Sequence, residues 1–187
     1  MNGIVLYQSK YGATKKYVDW LTEATKFSCL EIKKTDIKDL AKYDIIILAG
    51  GIYASGIAGL AFLKKHIKQL ENKRIAVFSV GASPFDEQAF KQVYEHNFSG
   101  NLSNIPCFYG RGAWNEGKMS FADRTMCKML QKVVAKKDSA TYEPWEKALM
   151  CSVGLSCDWT DKTYLNALLD WIKSESKSCQ SKCNVQM

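Results

Sequence analysis

Residues Ser9-Lys10-Tyr11-Gly12-Ala13-Thr14 place two hydroxyls and a glycine where strand-like sequence gives way to helix-like sequence. A helix start carries amides without internal partners and the positive end of the helix dipole, so it attracts anions. Ser9 and Thr14 add hydroxyl donors, Gly12 lets the backbone approach a ligand closely, and Lys10 and Lys15 add positive potential. An ordinary cap uses a single hydroxyl. Two hydroxyls flanking a glycine after the first apolar run point instead to a bound phosphate. Neither GxxxxGK[ST] nor GxGxxG occurs in this loop, which ranks a triphosphate or a dinucleotide below a monophosphate.

The surrounding elements decide whether this loop stands alone. Gly3 to Tyr7, Ile45 to Ala49, Arg74 to Val80 and Ile105 to Tyr109 read as buried strands, and Leu30 to Lys33 as a more exposed one. Helical spacing covers Thr14 to Lys26, Ile57 to Leu70, Asp86 to His96 and Thr163 to Ser174, with a short capped turn from Asp36 to Leu40. Regular alternation of this kind predicts a parallel sheet covered on both faces. Ligands of such sheets bind beyond the carboxyl ends of the strands. Three glycine-bearing loops follow strands at that edge: Ser9 to Thr14, Gly50 to Gly56, and Gly81 to Phe85. They are expected to converge on one site.

The alternation breaks after Tyr109. Gly110-Arg111-Gly112 is followed by a helical stretch from Lys118 to Val134, then Pro144-Trp145 and Ser152 to Cys157. We read this as an insertion spanning about 113–152 in a domain spanning 1–175, with a Cys-containing polar tail over 176–187. The helical stretch carries Phe121, Met126, Met129, Leu130, Val133 and Val134, with Arg124, Lys128, Lys132, Lys136 and Lys137 beside them. Such a stripe is expected to pack on a core. The alternative is contact with an anionic membrane surface.

Bulk properties narrow the function classes. The chain has 187 residues, 47% hydrophobic and 24% charged, which suits one ordinary globular domain. No apolar run approaches the roughly 20 residues that cross a bilayer. Net charge is +7, but the lysines are dispersed in pairs without a dense basic block, so nucleic-acid binding is set aside. Seven cysteines, an odd and scattered set, suit reduced thiols and a cytoplasmic protein. Cys179 and Cys183 form a CxxxC pair without accompanying ligands, and no metal site is expected. His66 and His96 both lie off the ligand edge.

On these residues the chain resembles the flavodoxin-like proteins that bind flavin mononucleotide (FMN). S-x-x-G-x-T is similar to their phosphate loop, YDIIILAGGIYASG to their third strand and first flavin loop, and IAVFSVGASP to their fourth strand and second flavin loop. More narrowly it is similar to the protoporphyrinogen dehydrogenases that pass electrons to quinone, through YGAT, the turn Gly51-Ile52-Tyr53, the basic aromatic insertion and Asp158-Trp159. The resemblance runs roughly from Ile4 to Ser174 and is most specific up to Phe85. It implies a doubly wound α/β fold with a five-stranded parallel sheet of order 2-1-3-4-5 and a helical insertion at the last strand.

By the same resemblance, Ser9, Lys10, Tyr11, Gly12, Ala13 and Thr14 would cradle the phosphate. Gly51, Ile52, Tyr53, Ala54 and Ser55 would line one side of the isoalloxazine ring. Val80, Gly81, Ala82 and Ser83 would meet its polar edge, and Gly110, Arg111 and Gly112 would close the site. Arg111 would stabilise anionic reduced flavin or hold a substrate carboxylate, or else be a surface cation. Two features depart from carrier flavodoxins: the chain is basic, and Tyr53 is the one obvious stacking aromatic. The implied activity is FMN-dependent oxidation or reduction of a small organic substrate with a quinone or similar acceptor. The alternative is electron transfer to a redox protein partner.

Overall fold

The computed structural model describes residues 2–174; the tail, with Cys179 and Cys183, lies outside them. Strand β1 (Gly3–Gln8) leads into helix α1 (Ala13–Thr25), then β2 (Ser28–Glu31) and β3 (Ile45–Tyr53). A short β4 (Gly56–Ile57) precedes α2 (Leu60–His66), β5 (Arg74–Gly81), α3 (Glu87–Asn97) and β6 (Cys107–Arg111). The main sheet runs β2-β1-β3-β5-β6, all parallel, with β4 added antiparallel to the end of β3. Counting only parallel strands, this is the expected 2-1-3-4-5 order.

Strand periodicity explains why the central strands are almost wholly apolar. Side chains alternate between faces, and here both faces are covered. Val5, Ile45, Ile47, Ala49 and Phe78 join Tyr17, Val18 and Leu21 of α1 and Leu168 and Ile172 of α6 (Asn166–Ser174). Ile4, Leu6, Ile46, Leu48 and Val77 pack on the other side against Leu60 and Leu63 of α2 and Val93 and Tyr94 of α3. Burying one such side chain contributes roughly 1.5–3 kcal/mol, so the sheet is the rigid part that carries the loops.

Two local expectations change. The helix expected from Ile57 begins only at Leu60, because Ile57 is paired to Ile52 in the hairpin and Gly59 takes a left-handed φ of 84°. Beyond β6, β7 (Ala113–Asn115) pairs antiparallel with β8 (Ser156–Asp158), forming a separate two-stranded ladder that periodicity had not disclosed. Between them lie α4 (Phe121–Val134) and α5 (Pro144–Cys151). The α5 start is a reciprocal capping box between Glu143 and Glu146, with Pro144 in its first turn. Buried Glu146 also accepts from Lys137, tying the end of α4 to α5.

The apolar stripe of α4 does not face a core. Its inward seam consists of Asp123, Arg124, Cys127, Gln131 and Val134, whereas Phe121, Met126, Met129, Leu130 and Val133 are exposed. The seam is held by polar links rather than by apolar packing. The Asp123 carboxylate accepts from Tyr11 Oη and pairs with Lys10, and Gln131 Nε2 donates to Glu116 Oε1 at 3.1 Å.

Candidate functional site

Three loops meet at the carboxyl edge of β1, β3 and β5. In the first, Gly12 is the N-cap of α1, at φ 98°, a left-handed value that a residue with Cβ adopts at a cost. A Cβ there would meet nothing within 4 Å, so the constraint is conformational, not steric. Ser9 Oγ accepts from the amides of Gly12 (3.2 Å) and Lys15 (3.3 Å) and braces the loop from inside. Its proton remains available to donate. Lys16 N–H donates to Gly12 O, the first bond of the helix. The amides of Ala13 and Thr14 and the Thr14 hydroxyl therefore have no partner among the described residues, a donor set suited to an anion.

The side chains of Lys10 and Tyr11 turn away from that set. Both turn to Asp123 on α4, whose carboxyl is held below the usual carboxylate range first by Lys10 and then by the Tyr11 hydroxyl. The Lys10 ammonium, held above its ordinary value by the same pair, sits 5.7 Å from the Tyr53 ring centroid. The first loop, the second loop and the start of α4 are thus contiguous.

The second loop is a two-residue hairpin turn. Ala54 (φ 45°) and Ser55 (φ 67°) are both left-handed, the geometry that normally selects Asn-Gly. Holding two Cβ-bearing residues there costs roughly 1–2 kcal/mol each. Asn97, buried at the end of α3, offsets the cost. Its side chain donates to Ser55 O (2.6 Å) and Val93 O (2.8 Å) and accepts from Ile57 N–H (3.2 Å). Tyr53, 42% exposed, folds its ring back over Gly51, whose Cβ would come within 2.8 Å of it.

In the third loop the carbonyls point back to β6. Gly81 O accepts from Gly112 N–H (2.7 Å), Ala82 O from Arg111 Nε (3.3 Å) and Ser83 O from Tyr109 Oη (2.6 Å). Burial raises the Tyr109 phenol, so it stays a neutral donor. The amides of Ala82 and Ser83 are left without partners among the described residues, two adjacent donors. Val80 is buried in the sheet beneath.

Gly110, Arg111 and Gly112 take up structural duties. A Cβ on Gly110 would come within 2.6 Å of the Phe78 ring. Arg111 lies over Trp159 at 4.2 Å, and its carbonyl accepts from Tyr17 Oη at 2.6 Å. Arg111 is first a strap joining the third loop to the segment after β8. Sequence reasoning missed Asn97 and Phe85. Phe85 packs on Phe90 and Tyr109 at 5.7 Å each while remaining 53% exposed. A bulky apolar residue in a polar loop was the available signal for Phe85; Asn97 offered only its place at a helix end.

Residues 4–141 match the family profile described as Flavodoxin domain. The chain belongs to that family. No curated protein sequence matches it. Among solved structures, this flavodoxin domain is similar to the two-electron reduced flavodoxin of Megasphaera elsdenii, at 19% identity over 57% of this chain and 82% of that one, TM-score 0.44. It is also similar to a flavoprotein in complex with FMN from Lactobacillus acidophilus, at 15% identity over 59% and 91%, TM-score 0.41. A third is the Trp repressor binding protein of Bacillus subtilis, at 17% identity over 59% and 85%, TM-score 0.41. FMN is the cofactor of the flavodoxin-like fold, and the free amides and hydroxyl at Ala13 and Thr14 fit a phosphate. No cluster able to hold a metal occurs among the described residues, and none of their helices is long and apolar enough to cross a membrane.

Proposed function

We propose that this flavodoxin domain is an FMN-dependent oxidoreductase that moves electrons between a small organic substrate and a quinone or similar acceptor, in the manner of the quinone-dependent protoporphyrinogen dehydrogenases. The observation that carries the reading is the pair of unpartnered donor sets at one sheet edge, Ala13 and Thr14 in the first loop and Ala82 and Ser83 in the third. The first suits the phosphate, and the second suits the polar rim of a flavin ring. Bound there, FMN would supply the reversible uptake of electrons that the side chains do not. The protein's part is to orient the ring. Asn97 fixes the hairpin carrying Tyr53, and Tyr109 with Arg111 fixes the third loop.

Access favours an enzyme. Tyr53 and Phe85 are the exposed aromatics of these loops, surfaces on which a small reactant could stack. A second reading, an electron carrier for a redox protein partner, draws on the lack of a histidine at the edge among the described residues. His66 contacts Gln69 and the Phe62 ring instead, on α2. Steady-state reduction of a menaquinone analogue by the FMN-loaded protein with an excess electron donor separates the two. Many turnovers per protein support the enzyme. Oxidation of the reduced protein only by a protein acceptor supports the carrier, and a protein that takes up no FMN overturns both.

A further inference from the structure

Helix α4 is inside out for a soluble protein. Its seam toward the domain is largely polar, while its outward face is apolar, with Phe121 88%, Met129 64% and Val133 58% exposed. A stripe of this kind on a globular helix normally faces a core. Here the helix is instead moored at its start through Asp123 to Lys10 and Tyr11, and at its end through Lys137 to Glu146. Both moorings are polar, so the outward face is left free while the helix is held in a set orientation.

Within α4 the outward charges have one sign. The one acid of α4 is Asp123, turned inward and already paired. Lys128 and Lys132, one turn apart, are exposed and have no ion partner among the described residues, and exposed Lys136 continues the row. Exposed Trp145 begins the neighbouring helix α5, which packs on α4, and exposed Leu155 lies in the turn after it. Apolar residues and an aromatic flanked by lysines make the pattern of a helix lying in the plane of a lipid interface.

We infer that the outward face of α4 is a docking surface for an anionic lipid bilayer. Charge complementarity selects the occupant: the unpaired lysines of α4, whose one acid is turned inward, match the negative leaflet surface, and flexible Met side chains accommodate an irregular apolar layer. The surface also begins beside the flavin edge. Phe121 is two residues from Asp123, which pairs with Lys10, and Lys10 lies against Tyr53. Docking through α4 would therefore hold the carboxyl edge of the sheet near the bilayer, where a lipid-soluble acceptor resides. The docking itself does not depend on the proposed flavin chemistry.

Co-sedimentation of the full chain, with and without FMN, tests the proposal using vesicles of equal parts phosphatidylglycerol and phosphatidylcholine against phosphatidylcholine alone. The anionic vesicles should carry the protein down and the neutral ones should not. Met129→Glu with Val133→Glu should abolish binding without changing thermal unfolding, since both side chains are exposed. Lys128→Glu with Lys132→Glu should weaken binding about tenfold or more. Brominated-lipid quenching of Phe121→Trp, measured above the wild-type background, should place that position in the acyl boundary.

Protein left in solution with anionic vesicles at low salt overturns the proposal. So does undiminished binding by the Met129→Glu, Val133→Glu variant. A dimer of the chain that this variant dissociates, without vesicle binding, would assign the face to a second copy. Vesicle binding with no FMN uptake would retain the docking surface and remove the flavin reading alone.

Discussion

Helices α1 and α4 have the same kind of sequence and opposite fates. Each carries an apolar stripe at helical spacing with lysines beside it. In α1 the stripe of Tyr17, Val18 and Leu21 is buried against the sheet, and Lys16, Asp19 and Glu23 face outward. In α4 the stripe faces outward and an Asp, a Cys and a Gln make up most of the seam. The difference lies in what each helix is tied to. A short crossover from β1 to β2 forces α1 onto the sheet, where Tyr17 packs at 5.0 Å from Phe78 and its hydroxyl links Arg111 O to Asp161 N–H. The β7–β8 ladder and polar contacts with Lys10 and Tyr11 of the first loop hold α4, and no uncovered sheet face is left for it. Periodicity locates a stripe; the connections decide which way it points.

Equal truncations in the two regions should therefore have unequal costs. Phe78→Ala should cost about 4 kcal/mol in urea unfolding, from lost burial and a cavity between β5 and α1. Met129→Ala should change stability by less than about 0.5 kcal/mol. Comparable losses would mean that α4 is packed after all. The Asn97 strap comes next in size. Asn97→Leu strands the Ile57 N–H and releases the left-handed turn, and should cost about 2 kcal/mol. Amide exchange at Ala54 and Ser55 should rise more than in β5; a uniform rise would deny the local role.

Acid should loosen the join between frame and insertion before the frame itself. Asp158 at the end of β8 is held down to about 2, chiefly by the Lys16 ammonium and then by Thr160. Its folded value lies below the ordinary 3.8, so the stability it contributes is present above about 4 and is lost as pH falls toward 2. Both side chains are about half exposed, and salt and solvent keep the effect small. Asp158→Asn should flatten the acid limb of the melting-temperature curve slightly; an unchanged limb would remove this contribution. Smallest of all is a reactivity contrast. Burial pushes the Cys107 thiol up to about 12, so native protein at mild alkaline pH should label at exposed Cys29 and Cys151 and spare Cys107 until it unfolds.

The frame was legible because its signals are long and redundant. Ile45 to Ala49 is a continuous apolar run, α1 repeats its apolar positions over three turns, and each loop at the ligand edge carries a glycine. The turn into α1 could be read for the same reason, since the left-handed N-cap at Gly12 is set by local backbone. Other features depend on contacts distant in sequence. Ala113-Trp114-Asn115 is too short to show alternation, and its partner lies beyond α5. Ala54-Ser55 lacks the Asn or Gly that marks such a turn, because Asn97 stabilises it from another element. The contacts of the Lys10 and Tyr11 side chains with Asp123 join residues more than a hundred positions apart, and no local signal announces them.

The most direct test of the central claim is a fluorescence titration of the cofactor-free protein with FMN and with riboflavin, which lacks the phosphate, for wild type and Thr14→Val. FMN should bind more tightly than riboflavin to the wild type, and Thr14→Val should weaken FMN about tenfold through the lost hydroxyl bond while leaving riboflavin unchanged. Equal affinity for the two flavins, or equal weakening of both by Thr14→Val, would contradict a phosphate held at the start of α1.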